Sequence, residues 1–354
     1  SFVFDSVAGR YVVLGFHATA SDEAGRRMAA GVLANRQRFD DETVCYFGVS
    51  LDPADKAENR VADAIPGIRY FWDFDGTISR LYGVIPLGAS VGDGPMPIRR
   101  CFAVLDPTLR VLAVLPVGED GGVDQLIGFL DRLPPPAQYA GVTLQAPILV
   151  LPNVFEPEFC RRLIGMYEAH GGQESGFMRD VGGQTVHVQD HSHKQRRDFI
   201  IEDEATIEAT RERIRRRVVP EILKIHQFEV TRMERYIVCC YAAAEGGHFN
   251  AHRDNTTKGT AHRRFAVSIN LNDDFEGGEV GFPEYGPRTF KAAAGGAVVF
   301  SCSLLHRVTP VTAGQRYAFL PFLYDEAAAK IREANNAFLA GGGQYRASGE
   351  GSAG

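Results

Sequence analysis

Short apolar runs alternate with longer, polar-started stretches over the first 133 residues, and this alternation predicts an α/β unit. The apolar runs are short and rich in β-branched and aromatic residues, as expected of buried strands. The longer stretches open on small polar residues or on Asp-Pro, which favours helix starts. Strands are predicted at residues 11–16, 43–49, 101–105 and 111–115, and helices at 19–40, 52–64 and 124–133. A strand, helix and strand followed by a hairpin and a helix predict a thioredoxin-like sandwich.

After a proline-rich spacer, the pattern changes to short apolar strands separated by polar turns. Three consecutive prolines stand near the start of the spacer, and such a run favours an extended linker. Residues 263–279 are an example of this second pattern: a strand in which apolar and polar residues alternate, then a Gly-Gly turn, then a second strand. The predicted organisation is an α/β domain at 1–133, a linker at 134–147, a mainly-β domain at 148–326, and a short helix with a disordered Gly/Ser-rich tail at 327–354.

The composition describes an ordinary globular chain and argues against two classes of partner. The 354 residues are 45% hydrophobic and 23% charged, with a net charge of −6. Without a basic tail, this balance argues against nucleic acid, and no apolar run approaches the length of a membrane span. The six cysteines lack a Cys-x-x-Cys pair or a regular spacing, so we expect reduced thiols and a cytoplasmic location.

A His-x-Asp pair in the second half is the strongest candidate for metal chemistry. His252 and Asp254 are two residues apart, so on an extended strand both side chains would project from one face. His306, at the end of a later apolar strand, is the natural third ligand. Two histidines and one carboxylate, with open positions left over, are the facial triad of non-haem Fe(II) oxygenases.

Two further residues are placed to bind an acidic co-substrate. Arg316 lies ten residues after His306, across a predicted turn at 312–315 and into the next strand. A guanidinium there can pair in bidentate fashion with the distal carboxylate of 2-oxoglutarate. Tyr241 ends an apolar strand, and its hydroxyl is placed to donate to the same carboxylate.

The segment from about 148 to 325 resembles the prolyl 4-hydroxylase branch of the Fe(II)/2-oxoglutarate-dependent dioxygenases. The motifs that carry this resemblance are residues 240–255, 273–279 and 316–325. The resemblance implies a double-stranded β-helix, or jelly roll, with flanking helices. It also implies iron on His252, Asp254 and His306.

The same resemblance implies the co-substrate contacts and the reaction. 2-Oxoglutarate is expected on Arg316 and Tyr241, with Asn270 at a position where the family often has a tyrosine. The implied cofactors are Fe(II), 2-oxoglutarate and O2, with ascorbate in addition. The implied reaction hydroxylates an unactivated C–H bond and releases succinate and CO2, and a prolyl residue of a peptide or protein is the first substrate to test. A free amino acid or another small metabolite stays open as an alternative.

The first domain resembles the peroxiredoxins over nearly its whole length, except in the reactive loop. Matching motifs lie at residues 9–16, 47–52, 72–76, 82–84 and 99–106. Where that family has Thr-x-x-Cys, residues 16–23 contain no cysteine, and peroxide reduction needs a thiolate there. Cys45 and Cys101 lie within predicted strands, where buried packing is expected. We therefore interpret the domain as a degenerate module for scaffolding, substrate docking or homodimer formation.

Several other polar clusters permit more than one interpretation. The glycine-rich stretch at 171–194 contains His187, His191 and His193, for which a lid over the iron is favoured over a second metal site. Five arginines between residues 211 and 217 are expected to form a solvated helix face. For the whole chain, the alternatives to an oxygenase are a thiol-dependent peroxidase or redox-binding module centred on the first domain, and a non-catalytic iron- or oxygen-sensing scaffold.

Overall fold

The computed structural model describes residues 3–92, 94, 96–339 and 345–347, and the chain divides into two compact units. The first comprises Ser1–Gln145 with Pro283–Gly286, and the second comprises Ala146–Phe282 with Pro287–Gly354. The main division falls inside the segment that the sequence marks as a linker. The predicted domain bounds themselves stay a prediction.

The first unit is built on a five-stranded mixed sheet. Its strands are β1 (Tyr11–Ala18), β2 (Val44–Ser50), β3 (Ile68–Trp72), β4 (Cys101–Leu105) and β5 (Val111–Pro116). The order is β3-β2-β1-β4-β5, with β1, β2 and β3 parallel and with β4 antiparallel to both β1 and β5. Every residue of β1 is buried, because apolar clusters cover both faces of the sheet.

Four short α-helices in the described part of the chain accompany this sheet, and three of them are shorter than the sequence predicts. They are α1 (Glu23–Ala34), α2 (Pro53–Ala57), α3 (Thr77–Leu81) and α4 (Val123–Leu130). The helix predicted at 19–40 begins later because the Asp22 carboxylate accepts a hydrogen bond from the Gly25 amide and caps α1. The predicted α/β class is confirmed, although β3 and α3 were not anticipated.

The second unit is mainly β, as the sequence predicts. Its strands are β6 (Leu149–Leu151), β7 (Gln173–Glu174), β8 (Phe177–Val181), β9 (Gln184–Val188), β10 (Lys194–Gln195), β11 (Arg197–Ile200), β12 (Arg232–Glu234), β13 (Ile237–Ala242), β14 (His248–His252), β15 (Phe265–Asn270), β16 (Glu276–Gly277), β17 (Val280–Gly281), β18 (Thr289–Phe290), β19 (Ala297–Ser301), β20 (His306–Val308), β21 (Val311–Ala313), β22 (Gln315–Phe319) and β23 (Phe322–Tyr324). Its helices are α5 (Pro157–His170), α6 (Glu204–Arg217), α7 (Val219–His226) and α8 (Glu326–Ala334).

Most of these strands belong to two sheets. The larger has the order β12-β23-β15-β22-β13-β11-β7, with β19 pairing β15 and β6 pairing β19. The smaller has the order β10-β14-β20-β17-β18. None of the helices in the described part of the chain is long and apolar enough to cross a membrane.

Side chains of the central strands of the larger sheet point alternately to its two faces, and each face carries a separate apolar cluster. Val238 of β13 and Phe319 of β22 pack with residues of α5, α6 and α7 in one cluster. Their strand neighbours, Cys239 and Ala318, belong to a second cluster that also contains Phe249 and Val308 of the smaller sheet. Because side chains alternate between the two faces of a strand, this parity decides which polar residues share the face of the second cluster.

The glycine-rich stretch at 171–194 is more regular than the sequence suggests. Within it, β8 and β9 form an antiparallel hairpin and β7 joins the edge of the larger sheet, while the role of a lid over the iron stays a prediction. The helix predicted near residue 326 is found as α8, capped by Asp325. The predicted disorder of the tail from residue 341 lies largely outside the described residues.

Candidate metal centre

The three candidate metal ligands lie at the meeting point of two strands. His252 ends β14, His306 begins β20, and the two residues are opposite each other in an antiparallel pair. Asp254 lies beyond the end of β14 in a turn, so the expectation that it shares an extended strand with His252 is corrected. The Asp254 amide donates to the Cys302 carbonyl at 3.0 Å, and this bond holds the turn against the strand that leads to His306.

The ligand atoms of these residues converge. One atom from each lies within 4.8 Å of the other two, and no second such group occurs among the described residues. The Asp254 carboxylate oxygens are 3.6 Å from Nε2 of His252 and 3.4 Å from Nε2 of His306. A divalent cation bound by two imidazoles and one carboxylate is the chemistry that this donor set fits.

Backbone contacts prepare both imidazoles for a metal. His252 Nδ1 lies 2.7 Å from the Asn250 carbonyl, and His306 Nδ1 lies 3.1 Å from the Leu304 carbonyl. A carbonyl oxygen can only accept, so Nδ1 carries the hydrogen and the Nε2 lone pair is left for a metal. The orientation of each ring is therefore set by the backbone before any ion binds.

Burial and neighbouring charges favour the protonation states that bind metal. Burial, together with the nearby His252, lowers the pKa of His306 to about 4, so its imidazole is neutral at physiological pH. Burial would raise the pKa of Asp254, but the two imidazoles hold it well below its usual range. Phe249 stacks on the His252 ring with 3.5 Å between centroids, and Phe300 lies 4.6 Å from the His306 ring.

The guanidinium of Arg316 is buried, and one of its nitrogen atoms has no hydrogen-bond partner in the described chain. It lies on β22 opposite Tyr241 of β13, and its guanidinium carbon is 5.4 Å from the Tyr241 ring centroid. Nε donates to Asn270 Oδ1 at 3.0 Å and Nη2 donates to Ser268 Oγ at 2.7 Å. Nη1 is buried and has no hydrogen-bond partner in the described chain. An unpaired buried donor on a cation fits an incoming carboxylate.

The structure places Asn270 behind Arg316 as a support. Its Oδ1 accepts from Arg316, and its Nδ2 donates to the Ala292 carbonyl at 2.7 Å. Ser268 supports the guanidinium in the same way and was missed by the sequence reasoning. It stands two residues before Asn270 on β15, so the shared strand parity was the signal that could have found it.

A bend before Arg316 depends on a glycine. Gly314 separates β21 from β22 and has φ of +73°, a conformation that L side chains rarely adopt. A Cβ at this position would lie 2.8 Å from the Asp274 carbonyl oxygen. The chain bends at Gly314 but does not reverse, because the Val311 amide donates to the Gly247 carbonyl and Arg316 lies opposite Tyr241 farther along the same course. The turn predicted at 312–315 is therefore wrong, and Arg316 reaches the larger sheet as a continuation of the segment that contains β21.

A buried ionic cluster beside Tyr241 was also missed. Arg196 donates to both carboxylate oxygens of Asp198, at 2.7 and 2.6 Å, and Arg235 lies 3.6 Å from the same carboxylate. Lys194 is 5% exposed and donates to Ser175 Oγ at 2.7 Å. Nothing in the local sequence marks these residues as buried, because burial arises only when β10 and β11 pair with β14 and β13.

We predict that the Asp198→Asn substitution destabilises this part of the unit in a pH-dependent manner. Burial would raise the pKa of Asp198, but the Arg196 guanidinium lowers it to about 2. Relative to roughly 3.9 in the unfolded chain, this shift contributes roughly 2 to 3 kcal/mol. Because the folded pKa is the lower one, the contribution is complete above about pH 5 and disappears as the pH falls towards 2.

Hydrogen exchange of the β13 amides measures this effect directly. The opening free energy of wild type should exceed that of Asp198→Asn by roughly 3 kcal/mol at pH 7, since one partner of a buried pair is lost. The difference should shrink below pH 4. Glu245→Gln is the matched control, because Glu245 pairs with Arg197 at the surface and its loss should cost under about 1 kcal/mol. A difference that persists unchanged at pH 2.5 would contradict the assignment.

The three histidines of the glycine-rich stretch at 171–194 each have a different partner. His187 Nε2 accepts from the Gly176 amide at 3.1 Å, and the His191 ring lies 2.5 Å from Glu174. The His193 ring packs 4.6 Å from Phe177. These three residues do not form a second metal site among the described residues.

His248 and Asn250 lie at the rim and contact the segment before β10. The His248 Nε2 and the Asn250 Nδ2 both approach the Ser192 carbonyl, at 3.4 and 2.9 Å. Two exposed arginines of α6 form surface ion pairs, Arg211 with Glu204 and Arg215 with Glu212, whereas the half-buried Arg213 packs on the Phe159 ring and pairs with Glu156. The interpretation of a solvated face therefore holds for the exposed arginines and not for Arg213.

Comparison with known proteins identifies a family for part of the second unit. Residues 232–324 match the 2OG-Fe(II) oxygenase superfamily. Two PKHD-type hydroxylases of Pseudomonas putida are similar over 91 residues, with 38% identity for the strain F1 protein and 40% for the strain W619 protein. Each match covers 23% of this chain and 39% of the relative, so the chain matches about two fifths of the length of these relatives.

Solved structures are similar at a greater distance. A prolyl hydroxylase from Trichoplax adhaerens, in complex with a hypoxia inducible factor oxygen degradation domain peptide fragment, has a TM-score of 0.39 and 16% identity, and the match covers 52% of this chain and 85% of that one. A Pseudomonas putida prolyl-4-hydroxylase has a TM-score of 0.36 and 14% identity, covering 51% and 93%. The Xanthomonas campestris bacterioferritin comigratory protein has a TM-score of 0.31 and 22% identity, covering 37% and 83%. None of these likenesses is close enough to assign a function.

Proposed function

We propose that this chain, whose C-terminal region contains a 2OG-Fe(II) oxygenase domain, is an Fe(II)- and 2-oxoglutarate-dependent dioxygenase that hydroxylates an unactivated C–H bond. The observation that carries the proposal is the convergence of His252, Asp254 and His306 within 4.8 Å. The buried, unpaired donor of Arg316 supports it, since 2-oxoglutarate is a dicarboxylate that needs a fixed cation.

Each residue has a defined part in this proposal. The two imidazoles and the Asp254 carboxylate hold Fe(II), which when bound supplies the oxidising chemistry with O2 and 2-oxoglutarate. Arg316 binds the distal carboxylate of 2-oxoglutarate, while Asn270 keeps the guanidinium in place. The apolar cluster that contains Tyr241 and Phe249 excludes water between these groups, which strengthens each electrostatic contact. Succinate and CO2 are the products expected from the co-substrate.

The proposal extends to fold, assembly and location. We interpret the two sheets of the second unit as a double-stranded β-helix and the first unit as thioredoxin-like, which its parallel β1, β2 and β3 support. Homodimer formation through the first unit and ascorbate as an additional cofactor are part of the proposal. So is a cytoplasmic location, which six free cysteines favour.

A prolyl residue of a peptide or protein is our proposed substrate class. The support is the resemblance of residues 240–255, 273–279 and 316–325 to prolyl 4-hydroxylases. A small metabolite is the alternative outcome of the same test. The peroxidase alternative is not supported, because all six cysteines are buried. Burial raises the pKa of Cys45 to about 12 and that of Cys101 to about 11, which suppresses the thiolate that peroxide reduction needs.

Product analysis tests the function. We expect purified protein with Fe(II), 2-oxoglutarate, O2 and a cell extract to form succinate, and mass spectrometry to find +16 Da peptides or metabolites. Omission of 2-oxoglutarate and the Asp254→Ala variant are the controls, and both should lack the product. A +16 Da shift confined to small molecules would overturn the peptide assignment. Protein that binds Fe(II) stoichiometrically yet forms no succinate would overturn the oxygenase proposal.

A further inference from the structure

A second buried guanidinium lies beside the proposed co-substrate pocket. Arg196 is 4% exposed and lies between β10 and β11. Its guanidinium carbon is 5.7 Å from the Tyr241 ring centroid, on a ring that Arg316 also approaches at 5.4 Å. Tyr241 is itself only 1% exposed. The tyrosine therefore has two buried cations next to it.

The two cations differ in what compensates their charge. Two arms of the Arg196 fork bind the Asp198 carboxylate. Arg316 has only the neutral side chains of Ser268 and Asn270 as partners and makes no ion pair within the described chain. Arg316 is accordingly the one of the two that is suited to a ligand carboxylate. Arg196, already bound to Asp198, is not suited to bind a ligand carboxylate directly.

The remaining arm of Arg196 contacts the Tyr241 hydroxyl. Arg196 Nη1 lies 3.4 Å from Tyr241 Oη, and no other hydrogen-bond partner of this hydroxyl is present in the described chain. A guanidinium can only donate, so the phenol oxygen is the acceptor in this contact. Burial also raises the pKa of Tyr241, so the phenol keeps its proton at physiological pH. Its hydroxyl hydrogen is therefore available for a different acceptor.

We propose that Arg196 is a positioning residue that orients the Tyr241 hydroxyl to donate to the carboxylate held by Arg316. The inference rests on the proposed function, because it assumes that 2-oxoglutarate enters this pocket. The register supports it, since Tyr241 is directly opposite Arg316 in the β13–β22 pair. Arg196 thus acts on the co-substrate through Tyr241 and does not bind the carboxylate itself.

A double-mutant cycle separates action through Tyr241 from an independent effect of charge. The affinity for 2-oxoglutarate is measured by calorimetric titration of the full-length protein loaded with Mn(II), without O2. Tyr241→Phe should weaken binding about tenfold, the loss expected for one hydrogen bond to a charged group. Arg196→Met should weaken it by about fivefold to tenfold. The double variant should be no weaker than Tyr241→Phe alone, because the hydroxyl through which Arg196 acts is already absent.

The controls keep the outcomes distinct. Arg197→Met removes the adjacent, exposed arginine and should leave the affinity unchanged. Asp198 retains Ser175 and Arg235 in Arg196→Met; if that variant does not fold, Arg196→Lys enters the same cycle, since it keeps a cation opposite Asp198 but loses the fork. Multiplied losses of about fiftyfold or more in the double variant, or an unchanged affinity in the Arg196 variant, would overturn this inference alone. Wild-type protein that binds Mn(II) but not 2-oxoglutarate would overturn the proposed function as well.

Discussion

The Asp254→Ala variant is expected to lose stoichiometric Fe(II) binding. Asp254 supplies the only anionic group of the proposed triad, and both imidazoles approach its carboxylate within 3.6 Å. Without it, only two imidazoles, at one end each of β14 and β20, are left to hold a dication. Loss of an outer partner of a metal ligand costs roughly 10- to 100-fold in affinity, so loss of a direct ligand should exceed that range.

The fold should survive this substitution, which makes the experiment decisive. In the absence of metal, His306 is neutral at physiological pH, so removal of the carboxylate does not leave it as a buried charge. Iron content per chain is measured after anaerobic reconstitution, with circular dichroism as the check on folding. Asn255→Ala is the matched control, because Asn255 is only half-buried and its side chain donates to Ser303 Oγ rather than contacting the triad. One iron per chain in Asp254→Ala would show that the ligand assignment is wrong.

The Arg316→Ala variant is expected to raise the apparent KM for 2-oxoglutarate by about a hundredfold or more. A carboxylate in this buried pocket needs a cation, and the loss of one partner of a buried pair costs roughly 3–5 kcal/mol. Each 1.4 kcal/mol corresponds to about a factor of ten. Fe(II) affinity should barely change, since Arg316 contacts Asn270 and Ser268 and is not a metal ligand.

Two comparisons make the prediction specific to the guanidinium. Arg316→Lys should recover only part of the loss, because an ammonium cannot bind Asn270, Ser268 and a carboxylate in one planar arrangement. Arg307→Ala, which removes an exposed arginine beside His306, should leave the KM unchanged. Succinate formation against 2-oxoglutarate concentration is the measurement. An unchanged KM in Arg316→Ala would remove this residue from the site. Arg263 would be a poor replacement, because its Nε already donates to Glu234 at 2.8 Å.

The sequence alone suggested the proposed metal ligands, together with Arg316 and Tyr241, but neither Ser268 nor Arg196. His252 and Asp254 are close in sequence, and their spacing limits where their side chains can go whatever the remaining chain does. His306 and Arg316 are ten residues apart, which was enough to mark Arg316 as a candidate, although the turn expected at 312–315 is only a bend at Gly314. The resemblance of the second half to the Fe(II)/2-oxoglutarate oxygenases is confirmed over residues 232–324. Alternation of apolar and polar residues also predicted an α/β unit followed by a mainly-β unit.

Only the tertiary structure decided what surrounds those residues. Asn270 and Ser268 support Arg316 because β15 and β22 are neighbours in the larger sheet, and strand pairing over such a distance leaves no local signal. The local sequence gives no sign that Arg196 and Asp198 are buried, and they become buried beside Tyr241 only when β11 pairs with β13. Local spacing determines which chemical groups a short segment can present together. Burial and partnership depend on contacts between segments far apart in sequence, and these exist only once the sheets have formed.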